Sequence, residues 1–378
     1  ILLNLKILTV QQVRKVKFVI YPNALHIFEQ ETYVLIFAMK FKGTPFILGL
    51  QFLSTVIAYQ LASNKGNSTS LLSTKSLIDN AYDFTFEGAK FAANSYCWLF
   101  GENKPLSEAC PSKFCKTSDH LKLLKSGRTN IAYAIMEDTK NKRIIVSFKG
   151  TSSPNEWALD TNYRLTEYIP YVVKDEIATK EFIYRGWKVH RGFLKGYKTF
   201  HKNAMRYLLR LMARKKGYTL VFLGHSLGGA LSVIAAVESH FCGLNPVIFT
   251  YGSPKVGNYR LIDWMSENFP LYITEQSLVS GKLIPRSFFR MTTSKDIVPL
   301  LPLYKQGFSH CGFHINIKNN LFFADKDDLE LIGEFDKHLE FKEWRRRMKL
   351  LKKNYKEYMK SPMKGYQKFV ESDYHRYY

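Results

Sequence analysis

Acidic residues are scarce in this 378-residue sequence. It has 32 aspartate and glutamate residues against 55 lysine and arginine residues, which gives a formal net charge of +23. Such an excess predicts an anionic partner. The sequence contains no recognition-helix pattern, zinc-finger spacing or aromatic RNA-binding motif, so we expect no nucleic acid and consider an anionic lipid surface instead.

Cysteine is also rare, and the chain has only five: Cys97, Cys110, Cys115, Cys242 and Cys311. This number is too small for a disulfide scaffold, and the spacing does not suit a zinc site. Cys110 and Cys115 flank a short loop, so they are the pair best placed to form a small disulfide. The odd total leaves at least one thiol unpaired or bonded to another chain.

The sequence has no uninterrupted apolar run as long as a membrane-spanning helix. The best candidate, Gly43 to Ala58, is short and is interrupted by Gln51. It follows a basic segment at Met39–Lys42 and ends in small residues, which is the pattern of a signal peptide cleaved near Ala58. We therefore assign residues 1–62 to an upstream segment with a signal peptide and predict secretion. An uncleaved membrane anchor in the secretory pathway is the alternative.

The most informative stretch of the sequence reads as a strand, a sharp turn and a helix. Thr219 to Leu223 has the apolar composition of a buried strand, and the small residues from Leu227 to about Glu238 favour a helix. Between them, the sequence Gly-His-Ser-Leu-Gly at positions 224–228 is typical of a nucleophile elbow, which exposes Ser226 in a strained turn. His225 is adjacent to Ser226 and points away from it, so we assign it a structural role.

Predicted strands and helices alternate along the rest of the chain. We predict strands at Asn130–Met136, Arg143–Phe148, Val247–Thr250 and Phe288–Met291, and helices at Ile78–Trp98 and from Phe193 to Lys216. In the second helix the apolar residues that face inward are Tyr197, Phe200, Met205, Leu208 and Leu211, and Gly217 is the stop. This alternation predicts an α/β fold with a mainly parallel central sheet flanked by helices.

A serine nucleophile needs a histidine to accept its proton and a carboxylate to orient that histidine. Asp296 is the best acid, because it lies in a loop directly after a predicted strand. Three histidines follow it. His310 and His314 lie in a strand-rich segment, where a histidine is more often part of the core, whereas His338 follows an acidic loop. These residues leave the choice of histidine open.

Six motifs in a fixed order resemble the class 3, fungal-type triacylglycerol lipases of the α/β-hydrolase fold. They are Ile145–Thr151, Glu156–Asp160, Val189–Phe193, Gly224–Ala230, Thr250–Gly257 and Asp296–Pro299. Lys149 replaces the usual arginine of the first motif, and Glu156 replaces the asparagine of the second. The resemblance covers roughly Tyr82 to Phe341, and we assign residues 63–341 to the lipase domain.

The resemblance implies a hydrolase of acylglycerol esters that uses no metal or cofactor. It makes Ser226 the nucleophile, Asp296 the orienting acid and His338 the base, with His310 as the second choice of base. The oxyanion hole would be formed by the backbone N–H groups of Thr151 and Leu227. Phospholipase A1 and feruloyl-type aryl esterases share these motifs and remain alternatives, as does a non-catalytic lipid-binding protein of the same fold.

The segment from Ser152 to about Tyr163 occupies the position of the lid in the family. An opening lid would expose Trp157 and Leu159 at a lipid surface. The family also links an N-terminal cysteine to one beyond the catalytic histidine. No cysteine follows His338, so Cys97 lacks that partner.

The C-terminal tail, residues 342–378, departs from the family. Its apolar residues, together with Phe341, follow a helical stripe: Phe341, Trp344, Met348, Leu351, Tyr355 and Tyr358. Basic residues lie between them, so one interpretation is a helix that contacts an anionic membrane. The other is that the stripe docks on the catalytic domain and the charges are solvated. We expect a monomer that meets its lipid substrate at an oil–water or membrane surface.

Overall fold

The computed structural model divides the chain into two compact units, Ile1–Leu72 and Ser73–Tyr378. It describes residues 4–8, 13–17, 39–41, 44–46, 68–96, 102–110, 112–150, 164–173, 185–294, 296–318, 325–334, 342–347 and 349. The first unit has two antiparallel hairpins, formed by β1 (Asn4–Leu8) with β2 (Val13–Lys17) and by β3 (Met39–Phe41) with β4 (Thr44–Phe46). Most of the predicted signal peptide lies outside the described residues. The predicted domain boundaries therefore stay predictions.

The second unit alternates strands and helices, as the sequence predicts. Its strands are β5 (Lys104–Pro105), β6 (Leu121–Arg128), β7 (Ala132–Asp138), β8 (Arg143–Phe148), β9 (Leu165–Glu167), β10 (Lys188–His190), β11 (Thr219–His225), β12 (Val247–Tyr251), β13 (Gly257–Asn258), β14 (Phe288–Thr293), β15 (Phe308–Ser309), β16 (Phe313–Ile317) and β17 (Leu329–Gly333). Helix α1 (Ser68–Asn94) belongs to this unit from Ser73 onward. The other helices are α2 (Leu106–Ala109), α3 (Lys113–Lys116), α4 (Arg191–Phe200), α5 (Arg206–Arg214), α6 (Leu227–Phe241), α7 (Tyr259–Asn268) and α8 (Leu271–Ser280).

Nine strands form the central sheet in the order β17-β16-β14-β12-β11-β8-β7-β6-β5. The five strands β8, β11, β12, β14 and β16 are parallel, and antiparallel strands extend the sheet on both sides. Parallel strands end at the same edge, which we call the carboxyl edge; the opposite edge is the amino edge. The predicted α/β fold with a parallel centre is confirmed. Strands β15, β13, β10 and β9 form a smaller antiparallel sheet.

Both faces of the central sheet are buried, and the parallel strands β8, β11, β12 and β14 are buried along almost their whole length. In β11, Leu220 and Phe222 belong to one core layer, while Val221 and Leu223 belong to the other. The first layer includes buried residues of α4, α5 and α6, and the second includes buried residues of α1. The alternation follows from the two-residue period of a strand.

The long helix before β11 matches its prediction in position and in its inward face. All five residues predicted to face inward are buried. Helices α4 and α5 are joined without a break by a π-helical segment, His201–Met205, and the chain then reverses through Gly217, whose φ of +78° favours glycine.

The predicted bounds of the first helix were wrong, because it begins at Ser68 rather than at Ile78. The sequence of its first eight residues, 68–75, mixes Leu71 and Leu72 with serine, threonine and lysine, so no apolar period marks the start of the helix. The side chain of Asn94 donates to the carbonyl of Lys90 at the last turn. Beyond it, the chain forms a turn at Ser95–Tyr96.

The predicted disulfide is present between Cys110 and Cys115. Cys242 and Cys311 are free thiols, and burial raises the pKa of Cys311 to about 12. Within the part of the chain that the structure describes, no helix combines the length and apolarity needed to cross a membrane.

Candidate active site

Ser226 lies between the last residue of β11 and the first of α6, in a strained conformation. Its φ of +55° and ψ of −124° are rare for a residue with a side chain. The turn is tight because glycines meet across it. A Cβ atom on Gly224 would lie 2.3 Å from the backbone of Gly228, and one on Gly228 would lie 2.2 Å from the carbonyl oxygen of Phe148. The predicted elbow geometry is therefore confirmed.

The side chain of Ser226 is only 2% exposed, and its Oγ has no hydrogen-bond partner among the residues that the structure describes. The backbone around it is well fixed. The N–H of Ser226 donates to the carbonyl of Tyr251 on β12 at 2.8 Å, and its own carbonyl accepts from the N–H of Gly229 at 3.0 Å. A buried hydroxyl without a partner is costly, and such groups are concentrated at reactive sites.

His225 is bonded away from Ser226, as its position in the turn predicts. The hydroxyl of Tyr96 and Nδ1 of His225 are 2.9 Å apart. Burial lowers the pKa of His225 to about 4, so its imidazole is neutral at physiological pH. These contacts give His225 a structural role. Nothing in the local sequence pattern marks Tyr96 as the partner of His225, because the two residues are 129 positions apart.

The end of β8 runs directly beside the elbow. Gly150 has so little room that a Cβ atom there would lie 2.6 Å from the carbonyl oxygen of His225 and 3.3 Å from Cβ of Ser226. Thr151, the next residue in the sequence, lies outside the described residues. Leu227 is the first residue of α6, so its N–H has no acceptor within the helix. The backbone after β8 and the start of α6 thus meet beside Ser226, where an oxyanion hole is expected.

Asp296 follows β14 and is 1% exposed. Its Oδ1 accepts from the N–H of Val298 at 2.9 Å, and its own N–H donates to the carbonyl of Thr293 at 3.1 Å. Strands β11, β12 and β14 are parallel neighbours, so Asp296 and Ser226 follow strand ends at the same carboxyl edge. Two strand spacings separate β11 from β14, roughly 10 Å.

Two of the three candidate histidines are half-buried and hydrogen-bonded to neighbouring segments. Nε2 of His310 lies 2.7 Å from the carbonyl oxygen of Pro299, and Nε2 of His314 lies 2.8 Å from Oγ1 of Thr292. Burial lowers the pKa of both imidazoles well below the ordinary value, which makes them weak bases. His338 lies outside the described residues, as do Trp157, Leu159 and Cys97, so their predicted roles stay predictions.

The loop that carries Asp296 is held by a basic residue of the C-terminal tail. Arg347 is 7% exposed, and its Nη1 donates to the carbonyl of Thr293 at 3.2 Å and to that of Asp296. Its Nε donates to Glu343 at 2.6 Å, and hydrogen bonds from Arg346 and Arg347 lower the pKa of Glu343 to about 2. Only the tertiary structure shows that this arginine of the tail is buried.

The described residues contain no cluster of three histidine, cysteine or carboxylate side chains that could hold a metal ion. What they do provide at the carboxyl edge is a strained serine, a buried aspartate and two backbone segments that converge beside the serine. This arrangement suits nucleophilic attack on a carbonyl carbon.

Comparison with protein families identifies the same motifs. Residues 145–306 match the family model described as lipase (class 3). The chain is 32% identical over 201 residues to the secreted mono- and diacylglycerol lipase 2 of Gibberella zeae, which covers 51% of this chain and 48% of that protein. It is 32% identical over 205 residues to lipase A of Sodiomyces alcalophilus, covering 52% and 48%. The chain spans about half the length of these two relatives.

The fold is also similar to that of a solved fungal lipase. The Lip2 lipase of Yarrowia lipolytica aligns with a TM-score of 0.56 and 22% identity, over 68% of this chain and 88% of that one. At this identity the likeness concerns the fold alone. The predicted resemblance to the class 3 lipases and the predicted α/β-hydrolase fold are both confirmed.

Proposed function

Because residues 145–306 match the class 3 lipase family, we propose that this protein is a serine hydrolase that cleaves acylglycerol esters. The observation that carries the proposal is the elbow, which holds a buried Ser226 at positive φ beside the end of β8. A serine used only for structure would not need this strained conformation.

In the proposed mechanism, His338 takes the proton from Oγ of Ser226 as the oxygen attacks the ester carbonyl carbon. Asp296 orients the imidazole and stabilises its positive charge. The backbone N–H groups of Leu227 and Thr151 stabilise the developing oxyanion. The tetrahedral intermediate collapses to an acyl-enzyme, and the alcohol leaves with the proton from His338. Water, deprotonated by His338, then attacks the acyl-enzyme and releases the fatty acid and free Ser226.

The substrate class comes from the relatives. The similar protein from Gibberella zeae is named a secreted mono- and diacylglycerol lipase, and partial glycerides are therefore the first substrates to test. The same name, together with the predicted signal peptide, supports secretion. An opening lid would expose Trp157 and Leu159 at the lipid surface. The basic tail would add contact with an anionic membrane.

A hydrolysis panel tests the proposal. It compares mono-, di- and triacylglycerols, a diacyl phospholipid and a feruloyl ester, with Ser226→Ala as the control. We expect the fastest hydrolysis with acylglycerols, and in Ser226→Ala a rate lower by a factor of about 10⁴ or more. Preferred cleavage of the phospholipid or of the feruloyl ester would replace acylglycerols with that substrate class.

A fluorophosphonate probe tests the nucleophile separately. We expect it to label the folded wild-type protein at Ser226 and to leave Ser226→Ala unlabelled. Folded wild-type protein that neither reacts with the probe nor hydrolyses any ester of the panel would contradict the proposal and favour a non-catalytic lipid-binding role.

A further inference from the structure

The outer face of α4, the π segment and α5 carries only positive charge. Its basic residues recur at three- and four-residue steps and all are exposed: Arg191, Lys195, Lys198, Lys202, Arg206, Arg210 and Arg214. We call this set the basic stripe. From Arg191 to Arg214 it extends about 35 Å along one uninterrupted helix. The opposite face of the same helix is buried against the core.

No acidic residue lies near the basic stripe in the sequence, because positions 182–237 contain neither aspartate nor glutamate. In the described part of the structure, none of the seven residues takes part in an ion pair. The nearby Lys215 does pair with Glu137, at 2.5 Å, but it is not part of the stripe. Within the described residues, no ion pair compensates the positive charge of the stripe.

This arrangement weakens the helix that carries it. Like charges three or four residues apart on a helix repel each other, and the stripe contains six such neighbouring pairs. Arg191 lies in the first turn, where the helix dipole also disfavours a positive charge. A helix face kept only for solubility would mix both signs of charge. An anionic partner would remove this repulsion. Unfavourable placement of like charges on one helix face therefore indicates a binding surface.

We propose that the basic stripe is a docking surface for an anionic phospholipid membrane. This inference rests on the proposed function, because a hydrolase of lipid esters must reach its substrate at a lipid surface. Charge complementarity selects the partner: a membrane offers many negative charges in a plane, and the stripe is long and one-sided. Nucleic acid is disfavoured because the aromatic residues of this helix, Phe193, Tyr197, Phe200 and Tyr207, are buried or half-buried and are not available to stack on bases.

The direction of the helix places one end of the stripe near the active site. Helix α5 ends at Arg214 and a short loop leads into β11, which runs from the amino edge to the carboxyl edge. The helix therefore runs in the opposite direction, and Arg191 lies toward the carboxyl edge where β11 delivers Ser226. A membrane bound along the stripe would therefore lie close to the carboxyl edge, where Ser226 is located.

Vesicle binding by the full chain tests this proposal. Ser226→Ala is used as the background, so that hydrolysis cannot change the vesicles. The stripe variant is Lys198→Gln/Lys202→Gln/Arg206→Gln. The matched control, Lys116→Gln/Lys140→Gln/Lys282→Gln, removes the same charge from exposed positions elsewhere. Binding is measured by sedimentation with phosphatidylcholine vesicles, with and without phosphatidylserine, at low and high salt.

We expect the stripe variant to bind phosphatidylserine vesicles about 100-fold more weakly than the background, because each cation contributes roughly a factor of five. The control variant should lose much less. Binding of the background should fall steeply with salt, and that of the stripe variant should fall less. The melting temperature of the stripe variant should stay equal or rise, since the substitutions remove repulsion, and this separates lost binding from lost folding.

Equal binding by the stripe and control variants would overturn the proposal, as would binding that does not depend on phosphatidylserine. Stripe-dependent binding to a DNA duplex in the same buffer, without vesicle binding, would also overturn it. A wild-type protein that hydrolyses a soluble ester but does not bind vesicles contradicts only the docking surface. One that binds vesicles through the stripe but hydrolyses nothing contradicts only the proposed lipase activity.

Discussion

Two buried polar groups at opposite edges of the central sheet, Arg143 and Ser226, differ in how their side chains are bonded. At the amino edge, Arg143 at the start of β8 donates to Asp138 and to Glu87, so the buried carboxylate of Asp138 is paired with a cation. At the carboxyl edge, Ser226 follows β11, the parallel neighbour of β8, and has a positive φ. Its hydroxyl forms no hydrogen bond with any described residue.

The difference separates stability from reactivity within a single sheet. At the amino edge these hydrogen bonds support the folded state. At the carboxyl edge the backbone is fixed by main-chain contacts, and Oγ of Ser226 has no hydrogen-bond partner among the described residues. Open parallel sheets bind ligands at their carboxyl ends. A strained residue that lowers stability is therefore expected at this edge. Substitutions at the two edges should therefore change different measured quantities.

The largest expected effect is at the amino edge. Arg143→Met leaves the carboxylate of Asp138 buried without its cation, and we expect a loss of about 3 kcal/mol in the free energy of unfolding. Thermal unfolding should show a melting temperature lower by roughly 10 °C. The matched control, Lys125→Met, breaks the more exposed pair with Glu102 and should cost less than about 1 kcal/mol. A drop in kcat of the folded Arg143→Met protein would break the proposed separation of the edges.

Glu238, near the end of α6, is a buried carboxyl group whose pKa makes the stability of the fold depend on pH. It is fully buried, accepts hydrogen bonds from the hydroxyl of Tyr168 at 3.0 Å and the N–H of Tyr171 at 2.9 Å, and burial raises its pKa from 4.5 to about 7. Between pH 4.5 and 7, therefore, the folded protein keeps a proton on Glu238 that the unfolded chain has already released. Stability should fall as pH rises through this window, by at most on the order of 3 kcal/mol, and then level off.

Glu238→Gln removes the titration while keeping the size and an acceptor oxygen. We expect its urea unfolding midpoint to be nearly the same at pH 5 and pH 8, whereas the wild type should be less stable at pH 8. Glu108→Gln, at an exposed glutamate, is the control and should keep the pH dependence of the wild type. A wild type that is more stable at pH 8 than at pH 5, with Glu238→Gln unchanged from it, would contradict this prediction.

The smallest effect tests the carboxyl edge. Arg347→Met removes the guanidinium that bridges the carbonyls of Thr293 and Asp296, so the proposed catalytic carboxylate should lose its fixed orientation. We expect kcat for a soluble ester to fall about 10- to 30-fold with little change in KM, since small displacements of catalytic groups are costly. Arg347→Lys should restore part of the rate, because it keeps the charge but not the bridge.

Lys349→Met is the matched control for this prediction, because it removes an exposed positive charge from the same helical segment. It should leave kcat within a factor of about two. A rise in KM at constant kcat in Arg347→Met would mean that Arg347 acts on substrate binding instead of positioning Asp296.

The sequence predicts the parts of this molecule that local patterns determine. The elbow was recognisable because an apolar strand, two glycines and a small-residue helix occur in succession, and the structure bears out this geometry around Ser226. The alternation of strands and helices was sufficient for the parallel centre of the sheet. The inward face of α4 and α5 was predictable from spacing alone.

Features that depend on distant contacts were not predictable in this way. In the sequence, Arg347 does not differ from the other basic residues of the tail. Only the fold brings its guanidinium into contact with the carbonyl of Asp296. Tyr96 and Glu238 likewise acquire their roles from partners far away in the sequence. The basic stripe is present in the sequence as charge, but it becomes a distinct face only where the structure shows the opposite side of α4 and α5 to be buried.

The contact between Gly150 and the elbow also bears on how the protein can be engineered. The backbone at Gly150 lies against the carbonyl of His225, and the hydroxyl of Tyr96 fills the remaining space beside it. An added methyl at position 150 or 228 would meet main-chain atoms and should be rejected. Libraries that randomise the interior should therefore keep glycine at these two positions.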